Sequence, residues 1–126
     1  MAIWDTLLWL YLIDAVLLIV HEIDSAYWRE WELFRLPGGV AGFLLLHVPL
    51  MFAGLYGLLL VSWQSRGGLI VSAVLSLAGI FAFAIHTYFI RKGRHEFRAP
   101  ISQLILWATL LVSLAQGAIT AALLVA

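Results

Sequence analysis

Residues 3–23 read IWDTLLWLYLIDAVLLIVHEI, a predominantly apolar run. A helix of about 20 residues, rising ~1.5 Å per residue, crosses the ~30 Å hydrocarbon core of a bilayer. Three more such runs follow, separated by charged segments containing Gly or Pro, which end helices. The sequence therefore predicts one domain, residues 1–126, folded as an all-α integral membrane four-helix bundle. The predicted spans are approximately residues 3–27, 40–63, 69–90 and 101–125.

Composition independently places the chain in a membrane. Hydrophobic residues make up 64% of its 126 residues and charged residues only 11%, with a mean hydropathy of +1.05. Soluble domains average about 45–50% apolar and about 25% charged residues, and a chain this small could not bury the excess. The net charge of +0 argues against a nucleic-acid partner. Without cysteine, thiolate metal sites and cysteine nucleophiles are excluded.

The basic residues predict the orientation of the bundle. Six of the seven Lys and Arg residues lie around the first and third connections between spans, and only Arg66 lies in the second. By the positive-inside rule, the first and third connections face the cytoplasm and both termini face the outer side. The first residues lack a basic stretch, so we expect the first span to be retained rather than cleaved.

The first span runs into an aromatic and charged stretch, YWREWELFR at residues 27–35. Tyr and Trp concentrate at membrane interfaces, where their rings anchor helices. We therefore expect the first helix to leave the membrane here and continue along the interface as an aromatic belt.

Ionisable side chains within the spans are the strongest sign of function. Each costs at least ~2.5–3.5 kcal/mol to insert, so such residues normally face the bundle interior and mark a site. Three histidines, on three different spans, lie at a common depth of ~7–12 Å below the cytoplasmic interface, counted at ~1.5 Å per residue. We expect their imidazoles to converge. The intramembrane ionisable residues are Asp14, His21, Glu22, Asp24, His47 and His86.

This layer suits a metal ion. Neutral imidazole is the commonest metal ligand, and three histidines with a carboxylate are typical of zinc, or of non-haem iron or manganese. The hypothesis is a metal-dependent enzyme or redox protein acting on a lipid-phase small molecule. Its proposed ligands are His21, His47 and His86, with Glu22 and Asp24 as further ligands or catalytic proton carriers. The zinc-protease motif H-E-x-x-H is not present, because Ser25 occupies the place of its second histidine.

Three alternatives use the same residues differently. His47 and His86 could be the two axial ligands of a b-type haem. A histidine beside a carboxylate could also perform metal-free acid–base chemistry on a lipid-soluble substrate. Finally, the chain could be a non-catalytic accessory subunit of a larger membrane complex, its histidines serving only to join helices. Beyond the lipid bilayer itself, a homo-oligomer is the expected assembly.

The fourth span carries no charge, yet its polar residues share one face. At about 100° per residue they fall within a sector of roughly 60°, which predicts a polar bundle interior. Asp14 and Gln116 lie at similar depth, so we expect them to share a hydrogen-bond network. The polar residues on this face are Ser102, Thr109, Ser113, Gln116 and Thr120.

Residues 21–39 read HEIDSAYWREWELFRLPGG, and Leu46 and His47 follow shortly after. This stretch resembles an uncharacterised bacterial family of small multi-helix membrane proteins with a HEIDxxYWxEWxLFxLPGG motif. The resemblance covers about the first forty per cent of the chain. It implies a membrane location without an assigned activity. Together with the predicted spans and their orientation, it leads us to expect a multi-pass protein of the bacterial cytoplasmic (inner) membrane.

Overall fold

A computed structural model describes residues 1–95 and 97–126. The described residues form five α-helices and no strand. Four of the helices are long and apolar enough to cross a membrane, which confirms the predicted all-α, four-span architecture. The helices are α1 (Ile3–Tyr27), α2 (Glu30–Leu33), α3 (Gly39–Ser62), α4 (Arg66–Arg91) and α5 (Pro100–Val125).

The ends of the long helices follow from local sequence. Gly38, at φ 96°, supplies the left-handed residue before α3, a conformation that glycine adopts without steric cost. The Ser65 hydroxyl accepts a hydrogen bond from the Gly68 amide at 3.0 Å and caps α4. Pro100 opens α5, at a position where its missing N–H costs nothing.

The expectation that the first helix continues along the interface is wrong. α1 ends at Tyr27, and Arg29 adopts a left-handed conformation with φ 56° and ψ 51°. The chain then turns into the single-turn helix α2, whose Trp31 and Leu33 are buried. This break directs residues 30–34 back toward the bundle.

α1 and α4 form the centre of the bundle, since each of them contacts both α3 and α5. The pair α4 and α5 packs most extensively. Short connections make successive long helices antiparallel, so the C-terminal ends of α1 and α4 lie at the same end of the bundle. We call this the basic end, because it carries the six basic residues of the first and third connections.

The bundle interior is polar, as the fourth span predicted. All five residues of the predicted polar face of α5 are buried. In the middle of the bundle, the Ser113 hydroxyl donates to the Asp14 carboxylate, 3.0 Å from each oxygen. Gln116 instead donates to the carbonyl and hydroxyl of Ser72 at 3.0 and 3.1 Å. No hydrogen bond among the described residues joins Asp14 to Gln116, so the prediction of a shared network is wrong.

Gly79 allows the close approach of α4 and α5. A Cβ atom on Gly79 would collide with the Ser113 hydroxyl, the same hydroxyl that donates to Asp14. Small residues permit close helix packing in membranes, where no hydrophobic force draws helices together. The hydrogen bond to Asp14 therefore depends on glycine at position 79.

We predict that Gly79→Ala destabilises the protein. Relieving the collision must either separate α4 from α5 or rotate Ser113 away from Asp14, so the free energy of unfolding should fall by about 1–3 kcal/mol. Reversible unfolding in mixed micelles measures this change. Gly54→Ala is the matched control, because a Cβ there meets nothing within 4 Å. Equal stability of the two variants would contradict this account of the α4–α5 interface.

Candidate metal centre

His21, Glu30 and His86 lie together at the basic end. Each offers one ligand atom within 4.8 Å of those of the other two. The two imidazole rings meet edge to face with centroids 4.6 Å apart, and His86 Nε2 lies 3.5 Å from Glu30 Oε1. The three residues come from α1, α2 and α4, so the cluster exists only in the folded bundle.

Aromatic side chains close the cluster on the side of the third connection. His21 and His86 are 1% and 2% exposed, and Phe97 is 1% exposed. The Phe97 ring lies 4.2 Å from the His86 ring and 5.7 Å from the His21 ring, centroid to centroid. Phe34, directly after α2, approaches His86 from another direction at 6.3 Å. The two histidines are therefore shielded from solvent, and electrostatic interactions within the cluster are strong.

The orientation of His86 is fixed by the backbone. Its Nδ1 lies 2.6 Å from the Ala82 carbonyl oxygen, which can only accept, so Nδ1 carries a proton. In the neutral ring, Nε2 then presents a lone pair to the Glu30 carboxylate. Metal-bound histidines commonly donate their other ring N–H to a backbone carbonyl in this way. The 3.5 Å between Nε2 and Oε1 also approaches the ~3.3–3.5 Å edge of a tetrahedral zinc site.

Several buried polar atoms of the cluster lack a hydrogen bond of standard geometry among the described residues. Leaving a buried polar atom unpaired costs about 1–3 kcal/mol, and native proteins rarely leave several together. A cation would satisfy the nitrogen lone pairs and the carboxylate at once. The atoms are His21 Nδ1, Ser25 Oγ, Glu30 Oε2 and His86 Nε2.

Glu30 is held in its ionised form. Burial alone would raise the pKa of its carboxyl group, because the charged form loses hydration. The neighbouring His86 imidazole and Ser25 hydroxyl, together with the positive charges that His86 and His21 carry when protonated, outweigh burial and lower the pKa of Glu30 below its usual value. The cluster therefore supplies a carboxylate, the form that binds metals.

His47 and Glu22 form a separate pair. His47 Nε2 lies 2.6 Å from Glu22 Oε2, and its Nδ1 lies 2.7 Å from the Phe43 carbonyl oxygen. Both ring nitrogens thus face oxygen atoms, and a proton lies between Nε2 and Oε2. Neither residue belongs to the group of three potential ligands. The structure therefore brings together two of the three histidines that the sequence singled out.

Asp24 is engaged within α1. Its Oδ1 accepts a hydrogen bond from Trp28 Nε1 at 3.0 Å, a contact between residues four apart on one helix. Among the described residues it does not join the potential ligand group. Asp24 thus orients the indole at the start of the turn that leads to α2.

Sequence reasoning missed Glu30 and Phe97. The sequence places Glu30 in the expected interfacial continuation of the first helix and Phe97 in the third connection, and both residues occupy backbone that no sequence signal marks. Glu30 follows the left-handed Arg29, and Phe97 itself has φ 69°. Glycine, the usual sign of such a conformation, is not present at either place. The one available clue to a role for Glu30 was that an acidic residue follows the first span so closely, near the expected depth of the three histidines.

Comparison with known proteins gives a family but no activity. A family model described as "Family of unknown function (DUF6713)" matches residues 7–123. Neither the curated proteins nor the solved structures contain a match. The matched range includes all of α3 and α4, all but the outermost residues of α1 and α5, and each residue of the histidine and carboxylate clusters. The chain therefore belongs to this uncharacterised family, DUF6713.

Proposed function

We propose that the protein is a metal-dependent membrane enzyme or redox protein that acts on a lipid-phase small molecule. His21, Glu30 and His86 are its metal ligands. The observation that carries this proposal is the set of unpaired ligand atoms, gathered from three helices into one buried cluster. Two imidazoles and one carboxylate match zinc sites that keep an open position, and also non-haem iron sites.

Manganese fits the same donors less specifically, because it prefers oxygen ligands. Of the ligands expected from sequence, His21 and His86 remain in the proposed set. Glu30 takes the place of the carboxylates Glu22 and Asp24, which already accept hydrogen bonds from other side chains.

The haem alternative has less support. A haem bound by His47 and His86 would need a free nitrogen on each ring, and both nitrogens of His47 are hydrogen-bonded. Such a haem would also have to displace Phe97, whose ring lies against His86. We therefore favour a metal ion bound directly by side chains over a haem.

Acid–base chemistry is favoured by one specific observation, the 2.6 Å contact between His47 and Glu22. A histidine and a carboxylate sharing a proton can donate it to, or remove it from, a bound substrate. In the proposed function this pair moves protons beside the metal. Without a metal, the same pair would carry out the chemistry alone.

The proposed location is the bacterial cytoplasmic membrane, with the basic end facing the cytoplasm. The support is the positive-inside rule, applied to the six basic residues at that end. The metal cluster then lies near the cytoplasmic leaflet, and both termini lie outside.

We predict that the purified protein binds about one zinc, iron or manganese ion per chain and that the ligand variants lose it. His21→Ala, His86→Ala and Glu30→Gln should each lower metal affinity by at least about tenfold, since each removes one donor. Elemental analysis after loading with each metal measures occupancy, and an absorption spectrum checks for the Soret band of haem.

Matched controls are available in the same chain. His95→Ala removes an exposed histidine, and Glu32→Gln removes the exposed carboxylate two residues beyond Glu30. Both should retain wild-type occupancy. Absence of metal from the loaded wild type would overturn the metal proposal. Wild-type metal occupancy in all three ligand variants would overturn it as well. A Soret band would select haem instead.

We predict opposite accessibility for the third connection and the C-terminus. The chain has no cysteine, so His95→Cys and Ala126→Cys each introduce a unique thiol at an exposed position. A membrane-impermeant maleimide should label His95→Cys only in inside-out vesicles and Ala126→Cys only in right-side-out ones. The wild type gives the background, and the reverse pattern would overturn the orientation.

A further inference from the structure

A cavity of about 250 Å³ lies between α1, α3 and α4, outside the metal cluster. Twelve of its fourteen lining residues are apolar, and the other two are Glu22 and His47. Apolar pockets with a few convergent polar groups are the usual form of small-molecule sites. This cavity therefore has the composition of a small-molecule binding site, and its two polar side chains form a single pair.

The cavity opens on the outer surface of the spans. Leu50, Leu55 and Val74 line it, and these three side chains are 50–61% exposed. Because they belong to membrane-spanning helices, this exposed surface faces acyl chains. A ligand can therefore enter sideways from the bilayer. The cavity is smaller than the ~300–1,000 Å³ of drug-sized sites, so a longer chain would extend through the opening.

The polar pair lies toward the membrane surface and the apolar part lies deeper. Glu22 is close to the end of α1, whereas Ala15, on the same cavity wall, is about 10 Å farther from the basic end at ~1.5 Å per residue. Lipids of the adjoining leaflet have the same arrangement, with a polar head near the surface and a tail toward the midplane. The cavity thus fits a single-chain lipid in the same orientation that the lipid has in the adjoining leaflet.

The pair offers a hydrogen-bond acceptor and no free donor. Both ring nitrogens of His47 are engaged, by the Phe43 carbonyl and by Glu22 Oε2. Among the described residues, Glu22 Oε1 has no hydrogen-bond partner, so this oxygen remains available. A ligand must therefore donate a hydrogen bond. Since the imidazole already balances the carboxylate, a neutral hydroxyl suits the site better than a charged amine.

We infer that the cavity binds a lipid alcohol, a neutral single-chain molecule whose hydroxyl donates to Glu22. As a substrate site this rests on the proposed metal-dependent function; as a binding site it does not. Glu22 interacts electrostatically with Glu30 and His86 of the metal cluster, and it directly follows the ligand His21. The hydroxyl end of the bound lipid alcohol therefore lies within electrostatic range of the proposed metal centre.

The test uses dodecanol carrying a diazirine on its chain, with the full-length protein in phosphatidylcholine nanodiscs. Mass spectrometry locates the peptides cross-linked by light. Labelling should concentrate on the cavity-lining parts of α1, α3 and α4 and be competed by unlabelled dodecanol. Dodecyl methyl ether, which cannot donate a hydrogen bond, and dodecylamine should each compete about tenfold less well or worse, as expected for a lost hydrogen bond to a charged group.

Two comparisons distinguish labelling inside the cavity from labelling of the general lipid-facing surface. Ala78→Trp fills the cavity and should reduce the labelling at least about tenfold, whereas Ala84→Trp, exposed on the same helix outside the lining, should keep it within about twofold. Glu22→Met removes the acceptor and should abolish the preference for the alcohol over the ether.

Labelling spread evenly over the four spans, or unaffected by Ala78→Trp, would overturn the inference. Equal competition by the ether, or stronger competition by the amine, would overturn the assignment of a hydroxyl head. The labelling is measured with and without chelator. A preserved pattern in a protein that binds no metal supports the lipid-alcohol site while the metal function fails, and metal binding with diffuse labelling gives the opposite result.

Discussion

The lack of water inside a bilayer is the constraint on which this structure depends. A polar group in the membrane interior must find a partner within the protein, or it remains unpaired at a large cost. Asp14 accepts a hydrogen bond from the Ser113 hydroxyl, and the Gln116 amide nitrogen donates to the Ser72 carbonyl and hydroxyl. These contacts join α5 to α1 and α4. The unpaired buried atoms of the described residues are concentrated at the basic end, where His21, Ser25, Glu30 and His86 contribute one each, and this concentration is what the proposed metal ion would explain.

The three-residue cluster exists because the chain breaks after α1. Had the helix continued straight through Trp28 and Arg29, Glu30 would extend beyond the membrane surface instead of returning to the bundle. The left-handed Arg29 is unfavourable for a residue with a Cβ, and burial of Trp31 and Leu33 offsets that cost. Packing of α2 therefore holds a carboxylate against two histidines that α1 and α4 carry.

The sequence was sufficient to predict the positions of the spans, but it was not sufficient to predict which residues form the candidate metal site. Span positions depend on the local density of apolar residues, so the four long helices could be predicted almost to their ends. Depth along a helix is equally local, and it correctly grouped His21 with His86. The direction in which a side chain points around its helix is different, because it depends on which neighbouring helices pack against that helix. α3 is apolar on nearly all sides, so nothing local indicated that His47 would turn to Glu22 rather than to the other histidines.

The two polar sites share α1 as a wall. His21 and Glu22 are consecutive, so their side chains point about 100° apart around the helix. His21 thereby joins the largely buried cluster with Glu30 and His86, while Glu22 lines the cavity that opens on the outer surface of the spans. A metal site must keep its ligands dry and fixed, whereas a lipid must be able to enter and leave. In the proposed function, α1 separates these opposed requirements on two of its sides, while Glu22 stays within electrostatic range of Glu30 and His86.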